Sequence, residues 1–181
     1  MSESFTPQLE RYLLQRRNEG LYRSRVLSDT NRAILDFSCN DYLSLTHDHR
    51  VKQAYRKGFE LYPSGSGGSM VLCGYHSIHH QLEQAFAEAL RVEDCLLYSS
   101  GYVANLSVVS MLAQFGAHLV IDKSVHASIY DGLKSANASF TRFAHNNIND
   151  LAKKLQPIST HAVIVTESIF SMSGGCAPLK D

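Results

Sequence analysis

Ser99, Ser100, Gly101 and Tyr102 are suited by type and spacing to hold an anion. They sit where a short apolar run, residues 95–98, gives way to Val103, Ala104, Leu106, Val108, Val109, Met111, Leu112 and Ala113. That second run is apolar nearly all round over helical length. The spacing therefore predicts a strand turning into a buried helix. The first N–H groups of a helix lack intrahelical partners and carry partial positive charge. Glycine lets the backbone come close, and two hydroxyls add donors, so a phosphate is the anion that suits this turn. An ordinary helix cap, with Ser or Gly chosen for backbone reasons, explains the same residues.

His126 follows an expected strand at 117–121 and a short turn. An imidazole there could stack on a planar ligand or exchange a proton near neutral pH; it could also simply cap a helix. Glu167 and Ser171 follow a third apolar run, and either could be a structural hydrogen-bonder. Arg23 could pair with a carboxylate, or lie solvated on a polar arm. His76, His79 and His80 share one helical face near Cys73, which suggests a metal site. No second ligand pair is visible, however, and His79 could simply bond Glu83.

The elements that must position these groups alternate regularly. An amphipathic helix carries Leu9, Tyr12, Leu13 and Leu14, with Arg11, Arg16 and Arg17 on its other side. A strand is expected at 33–37, a turn holding Asn40 and Asp41 after it, and a helix over 51–61 ended by Pro63. The segment 64–69 is the most glycine-dense and must take positive φ angles or pass close to something. It lacks the Lys-Ser/Thr ending of a P-loop. Leu82, Ala85, Phe86, Ala89 and Leu90 repeat at helical spacing. Strands at 117–121, 139–143 and 161–166 then alternate with helices over about 125–136 and from Asn147, which with Asp150 could form a cap. Such alternation means an α/β fold with a parallel sheet between helix layers. Ligands of such sheets lie beyond the carboxyl ends of the strands. That rule gathers 99–102, 122–126 and 167–171 onto one edge.

Composition narrows the partner. The 181 residues, 44% hydrophobic and 19% charged, suit one globular domain with a real core. Lys plus Arg number 17 and Asp plus Glu 17, so no net field draws the chain to nucleic acid or an anionic membrane. No apolar run reaches transmembrane length, and residues 1–20 lack the apolar centre of a signal peptide. Four separated cysteines, Cys39, Cys73, Cys95 and Cys176, form no C-x-x-C pair. Reduced, mostly buried thiols in a cytoplasmic protein are expected.

Several segments together resemble the α-oxoamine synthases, pyridoxal-phosphate (PLP) enzymes of the aspartate-aminotransferase fold. They are Ser38-Cys39-Asn40-Asp41-Tyr42-Leu43, Gly65-Ser66-Gly67-Gly68-Ser69, Gly74-Tyr75 with His79 and Leu82-Glu83, Ser100-Gly101-Tyr102-Val103-Ala104-Asn105, His126-Ala127-Ser128, and Thr166-Glu167-Ser168-Ile169-Phe170-Ser171-Met172. They fall in family order and span nearly the whole chain. The glycine loop and Ala177-Pro178-Leu179 look most like the branch that joins L-alanine to a pimeloyl thioester in biotin synthesis, releasing CO2.

The resemblance implies a three-layer fold of type I and a homodimer, with the glycine loop near the dimer interface. Gly101 and Tyr102 would bind the cofactor phosphate through their N–H groups. His126 would stack on the pyridine ring and serve catalysis by positioning substrate; Ser171 would bond near the phenolic oxygen. Arg23 and Asn40 would face the amino-acid substrate. Met70 stands where many relatives have Arg, and Ser173 and Gly175 where they have acidic residues, which implies changed loop contacts.

The family also needs a lysine bonded to the cofactor and an aspartate opposite its pyridinium nitrogen. Lys52, Lys57, Lys123, Lys134, Lys153, Lys154 and Lys180 are not in the small-residue context of that lysine. The expectation is an amino-terminal portion, with residues 1–45 as arm and first strand and 46–181 as the first part of the large cofactor-binding domain. Alternatives are a relative that condenses glycine or serine with another acyl thioester, or a lysine-free partner subunit. The acyl carrier, coenzyme A or a carrier protein, is left open.

Overall fold

A computed structural model of the chain describes residues 5–27, 37–159 and 161–180. The chain divides into two compact units, Met1–Ser64 and Gly65–Asp181.

The first unit holds α1 (Phe5–Asn18) and α2 (His49–Leu61), with a 3-10 turn at Leu45–His47. The Asp48 carboxylate caps α2 by accepting from the Arg50 N–H at 2.7 Å, and the Arg50 guanidinium closes on it at 2.6 Å. Asp41 organises the turn before it, accepting from the Leu45 N–H at 2.8 Å and the Thr46 hydroxyl at 2.5 Å. Residues 33–36 of the expected first strand lie outside the described residues.

The second unit runs α3 (Ser77–Leu90), α4 (Gly101–Gln114), β1 (His118–Asp122), α5 (Ala127–Ser135), β2 (Phe140–Phe143), α6 (Ile148–Leu155) and β3 (Ala162–Val165). The strands form a parallel sheet in the order β2-β1-β3, with Leu119 opposite Phe140 and Val163. Central β1 is buried on both faces, which is why Leu119, Val120 and Ile121 read as a continuous apolar run. Val109, Leu119, Ile121, Val125, Ile129, Leu133 and Phe170 make one core. Gly132 lets α4 and α5 approach closely: a Cβ there would lie 3.0 Å from Val109 Cβ. Asn147 caps α6 by accepting from the Asp150 N–H at 2.9 Å, as its spacing predicts. No described helix is long and apolar enough to cross a membrane.

Three expectations need correction. Residues 95–98 form no ladder with the described strands; the Leu97 N–H donates instead to the Glu83 carboxylate at 3.0 Å. Helix α4 is buried only at Val109, because α5 covers one side and leaves Val103, Val108 and Met111 between 42% and 48% exposed. The thiols are not buried: Cys39, Cys73 and Cys176 are exposed and Cys95 is half-buried, since each lies outside the core.

Candidate functional site

The carboxyl edge of the sheet begins at Asp122, whose side chain is completely buried. Its carboxylate accepts from the Ser124 N–H at 2.7 Å, the Asn146 N–H at 2.9 Å and His145 Nδ1 at 3.1 Å. A buried carboxylate persists only when its lone pairs are filled in this way. The result ties the end of β1 to the loop after β2.

Two turns further, His126 is the N-cap of α5: its Nδ1 accepts from the Ser128 N–H at 3.1 Å. The Ser128 hydroxyl lies 2.8 Å from the same nitrogen, and Asn105 Nδ2 donates to that hydroxyl at 2.9 Å. The His126 N–H donates to the Glu167 carboxylate, which joins α5 to the segment after β3. Glu167 is thus a structural hydrogen-bonder. The capping reading of His126 holds, and the residue lies just beyond the carboxyl end of β1.

The N-terminus of α4 faces the same ring. Tyr102 and His126 meet edge to face, centroids 6.4 Å apart. The Tyr102 hydroxyl donates to the Asp131 carboxylate, which raises the phenol above its ordinary pKa. Ser100 Oγ accepts from the Val103 N–H at 3.3 Å, so the cap expected there is present. The N–H groups of Gly101 and Tyr102 have no acceptor among the described residues. A Cβ on Gly101 would meet nothing within 4 Å, and its φ is not positive. Neither backbone geometry nor a neighbouring atom of the chain therefore calls for glycine at 101. Open space before two unused donors at a helix N-terminus fits an approaching phosphate, and the His126 ring beside it fits a flat group.

The structure thus brings Gly101, Tyr102 and His126 together. Ser171 lies exposed in the turn after buried Phe170, with no hydrogen bond to His126 or Tyr102 among the described residues. Arg23 and Asn40 belong to the first unit; Arg23 is exposed on a segment without regular structure, and Asn40 Oδ1 accepts from the Tyr42 hydroxyl at 3.2 Å.

The glycine loop folds upon itself. The Ser69 carbonyl accepts from the N–H groups of Leu72, Cys73 and Gly74, and Gly67 has φ +74°. The neighbouring histidines have structural partners: His79 Nδ1 accepts from the His76 N–H at 3.0 Å, and His76 Nε2 faces the Ser66 carbonyl at 2.9 Å. His79 does not hydrogen-bond Glu83, because its Nδ1 closes the start of α3 instead. Among the described residues no three His, Cys, Asp or Glu side chains are placed to hold a metal. Glu83 takes the Tyr75 hydroxyl at 2.5 Å, and this bond, with desolvation and the charges of Glu83 and Asp94, pushes the phenol up to about 12.

Sequence reasoning assigns no role to Asn105, Ser128 or Asp131. Asn105 and Ser128 stand in segments that carry the family resemblance, but their contact spans 23 residues. Only the local His126-x-Ser128 spacing, matching an N-cap and its N2 residue, was available as a signal.

The sequence matches the family described as aminotransferase class I and II over residues 32–181. It is 38% identical to 8-amino-7-oxononanoate synthase of Pectobacterium atrosepticum, over 97% of this chain and 48% of the relative. A serine palmitoyltransferase from S. paucimobilis, solved with bound PLP and myriocin, superposes with TM-score 0.74 at 37% identity, covering 77% of this chain and 36% of that one. An 8-amino-7-oxononanoate synthase from Francisella tularensis gives TM-score 0.66 at 34% identity, covering 82% and 41%. The chain spans about half the length of the curated relatives it matches.

Proposed function

From the premise that this chain belongs to the class I and II aminotransferase family, on its α-oxoamine synthase branch, we propose that it forms part of a PLP-dependent acyltransferase. The proposed reaction condenses L-alanine with a pimeloyl thioester, as in biotin synthesis, giving 8-amino-7-oxononanoate, CO2 and the free thiol. The observation that carries it is the edge-to-face contact of the His126 and Tyr102 rings, which sets His126 beside the N-terminus of α4, where the Gly101 and Tyr102 N–H groups are unused.

PLP, when bound, supplies an electron sink for a carbanion at the amino-acid α-carbon. The chain's part is orientation. Gly101 and Tyr102 hold the phosphate through backbone N–H groups, and His126 stacks on the ring and positions substrate. In the same proposal Ser171 bonds near the ring's phenolic oxygen, and Arg23 and Asn40 face the amino-acid substrate. Residues 1–45 act as an arm, 46–181 as part of the large cofactor domain, and the protein works as a cytoplasmic homodimer.

Titrating the protein with PLP, pyridoxal and inorganic phosphate by calorimetry tests the site. PLP should bind at least about tenfold more tightly than pyridoxal, the effect of ordinary charge-assisted hydrogen bonds, and His126→Ala should weaken PLP. Equal binding of PLP and pyridoxal sinks the proposal. The structural likeness to serine palmitoyltransferases favours a second reading, with serine as the amino acid. Product analysis with alanine, glycine and serine against a panel of acyl thioesters separates the two.

A further inference from the structure

The geometry points to Asn105 and Ser128 as positioning residues that lock His126 in its Nε2–H tautomer. One donor at this ring has a fixed direction. The Ser128 backbone N–H is directed at His126 Nδ1, 3.1 Å away. A backbone amide cannot reverse its role, so Nδ1 must offer a lone pair and carry no proton.

The side chain of Ser128 agrees. Asn105 Nδ2 donates to Ser128 Oγ at 2.9 Å, so the hydroxyl hydrogen is left for His126 Nδ1 at 2.8 Å. Ser128 is completely buried, so water does not offer its hydroxyl an alternative. Three hydrogen bonds thus run one way, from Asn105 through Ser128 into the ring. In the neutral ring the single proton then belongs to Nε2, which has no acceptor among the described residues.

This inference rests on the proposed function for its meaning. His126 can stack and donate one hydrogen bond, but Nε2 has no lone pair with which to remove a proton. It is therefore matched to a ligand bearing an acceptor oxygen and not to a step needing a base. That replaces the proton-exchanging role which its position alone allows.

The test reads the tautomer in the ligand-free protein, from long-range proton–nitrogen spectra after histidine ¹⁵N labelling. His126 should show a bare Nδ1 and a protonated Nε2 at neutral pH. Ser128→Ala should lower the ratio of Nε2–H to Nδ1–H forms about tenfold, the loss of one ordinary hydrogen bond, while Ser128→Thr restores it. Asn105→Asp, which draws the hydroxyl hydrogen toward its own carboxylate, should act in the same direction as Ser128→Ala. A dominant Nδ1–H form in the parent protein, or a ratio unmoved by both Ser128→Ala and Asn105→Asp, overturns the inference. PLP affinity is measured separately, so failure of the cofactor reading leaves the tautomer result standing.

Discussion

The Glu83 carboxylate and the Leu97 N–H meet at 3.0 Å, across fourteen residues of chain. This bond fastens α3 to the segment that runs directly into the N-terminus of α4. Glu83 is almost completely buried, and the Tyr75 hydroxyl takes its other oxygen. The placement of Gly101 and Tyr102 thus depends on an acid outside the candidate site.

The Tyr75 hydrogen bond, followed by that from Leu97, holds the Glu83 carboxyl below its ordinary 4.5. A lowered folded-state value contributes stability above the unfolded value and loses it as pH falls through the folded one. Urea midpoints of the parent should therefore decline on acidification below 4.5. Glu83→Gln should be less stable at pH 7 and decline less steeply. Parallel curves for the two proteins would show that Glu83 is not the group responsible.

Tyr102 carries the opposite sign. Its bond to Asp131 raises the phenol above its ordinary 10.0, so the tie between α4 and α5 is intact below that pH and lost as pH rises through the folded value. Phenolate absorbance should show a late-titrating tyrosine that Asp131→Asn brings back toward normal. Tyr102→Phe keeps the backbone N–H, so phosphate affinity should stay within about twofold while stability falls.

What was legible in the sequence depended on how local the physics was. Strand β1 stood out because a strand buried on both faces is apolar without interruption. The Asn147 cap needed only a partner three residues away. Residues 95–98 have the length and apolarity of a strand, but ladder pairing depends on neighbours, and Leu97 finds a side chain instead. All-round apolarity made α4 look buried, although exposure depends on what covers each side. Gly101 and His126 were readable from their places at element ends, whereas Asn105 and Asp131 act across 23 and 29 residues. No periodicity encodes such contacts.

Asp122 should be among the least replaceable residues of the carboxyl edge. Asp122→Ala would leave the Ser124 and Asn146 N–H groups without the acceptor that the completely buried Asp122 carboxylate provides. Each orphaned donor costs about 1–3 kcal/mol, so a loss of roughly 2–6 kcal/mol in urea unfolding is expected. Asp122→Asn retains one carbonyl acceptor and should lose less. Equal stability of Asp122→Ala and the parent would contradict this account.

Gly74 and Gly101 contrast a glycine required by packing with one that the proposed function assigns to a ligand. At Gly74 a Cβ would fall 2.0 Å from the Gly68 carbonyl oxygen, and backbone on backbone leaves no flexible group to move aside. Gly74→Ala should therefore cost about 1–3 kcal/mol, the range for forcing atoms into filled space. At Gly101 the same methyl meets nothing within 4 Å, at the first residue of a helix. Gly101→Ala should fold at least as stably as the parent, since alanine favours helix. Its methyl nevertheless occupies space that a bound phosphate needs, and PLP affinity should fall about tenfold or more, in line with the loss of a charge-assisted hydrogen bond. Denaturation and calorimetry on the two variants give opposite patterns if this is right. Unchanged PLP affinity in Gly101→Ala would mean that the close approach at 101 serves no ligand.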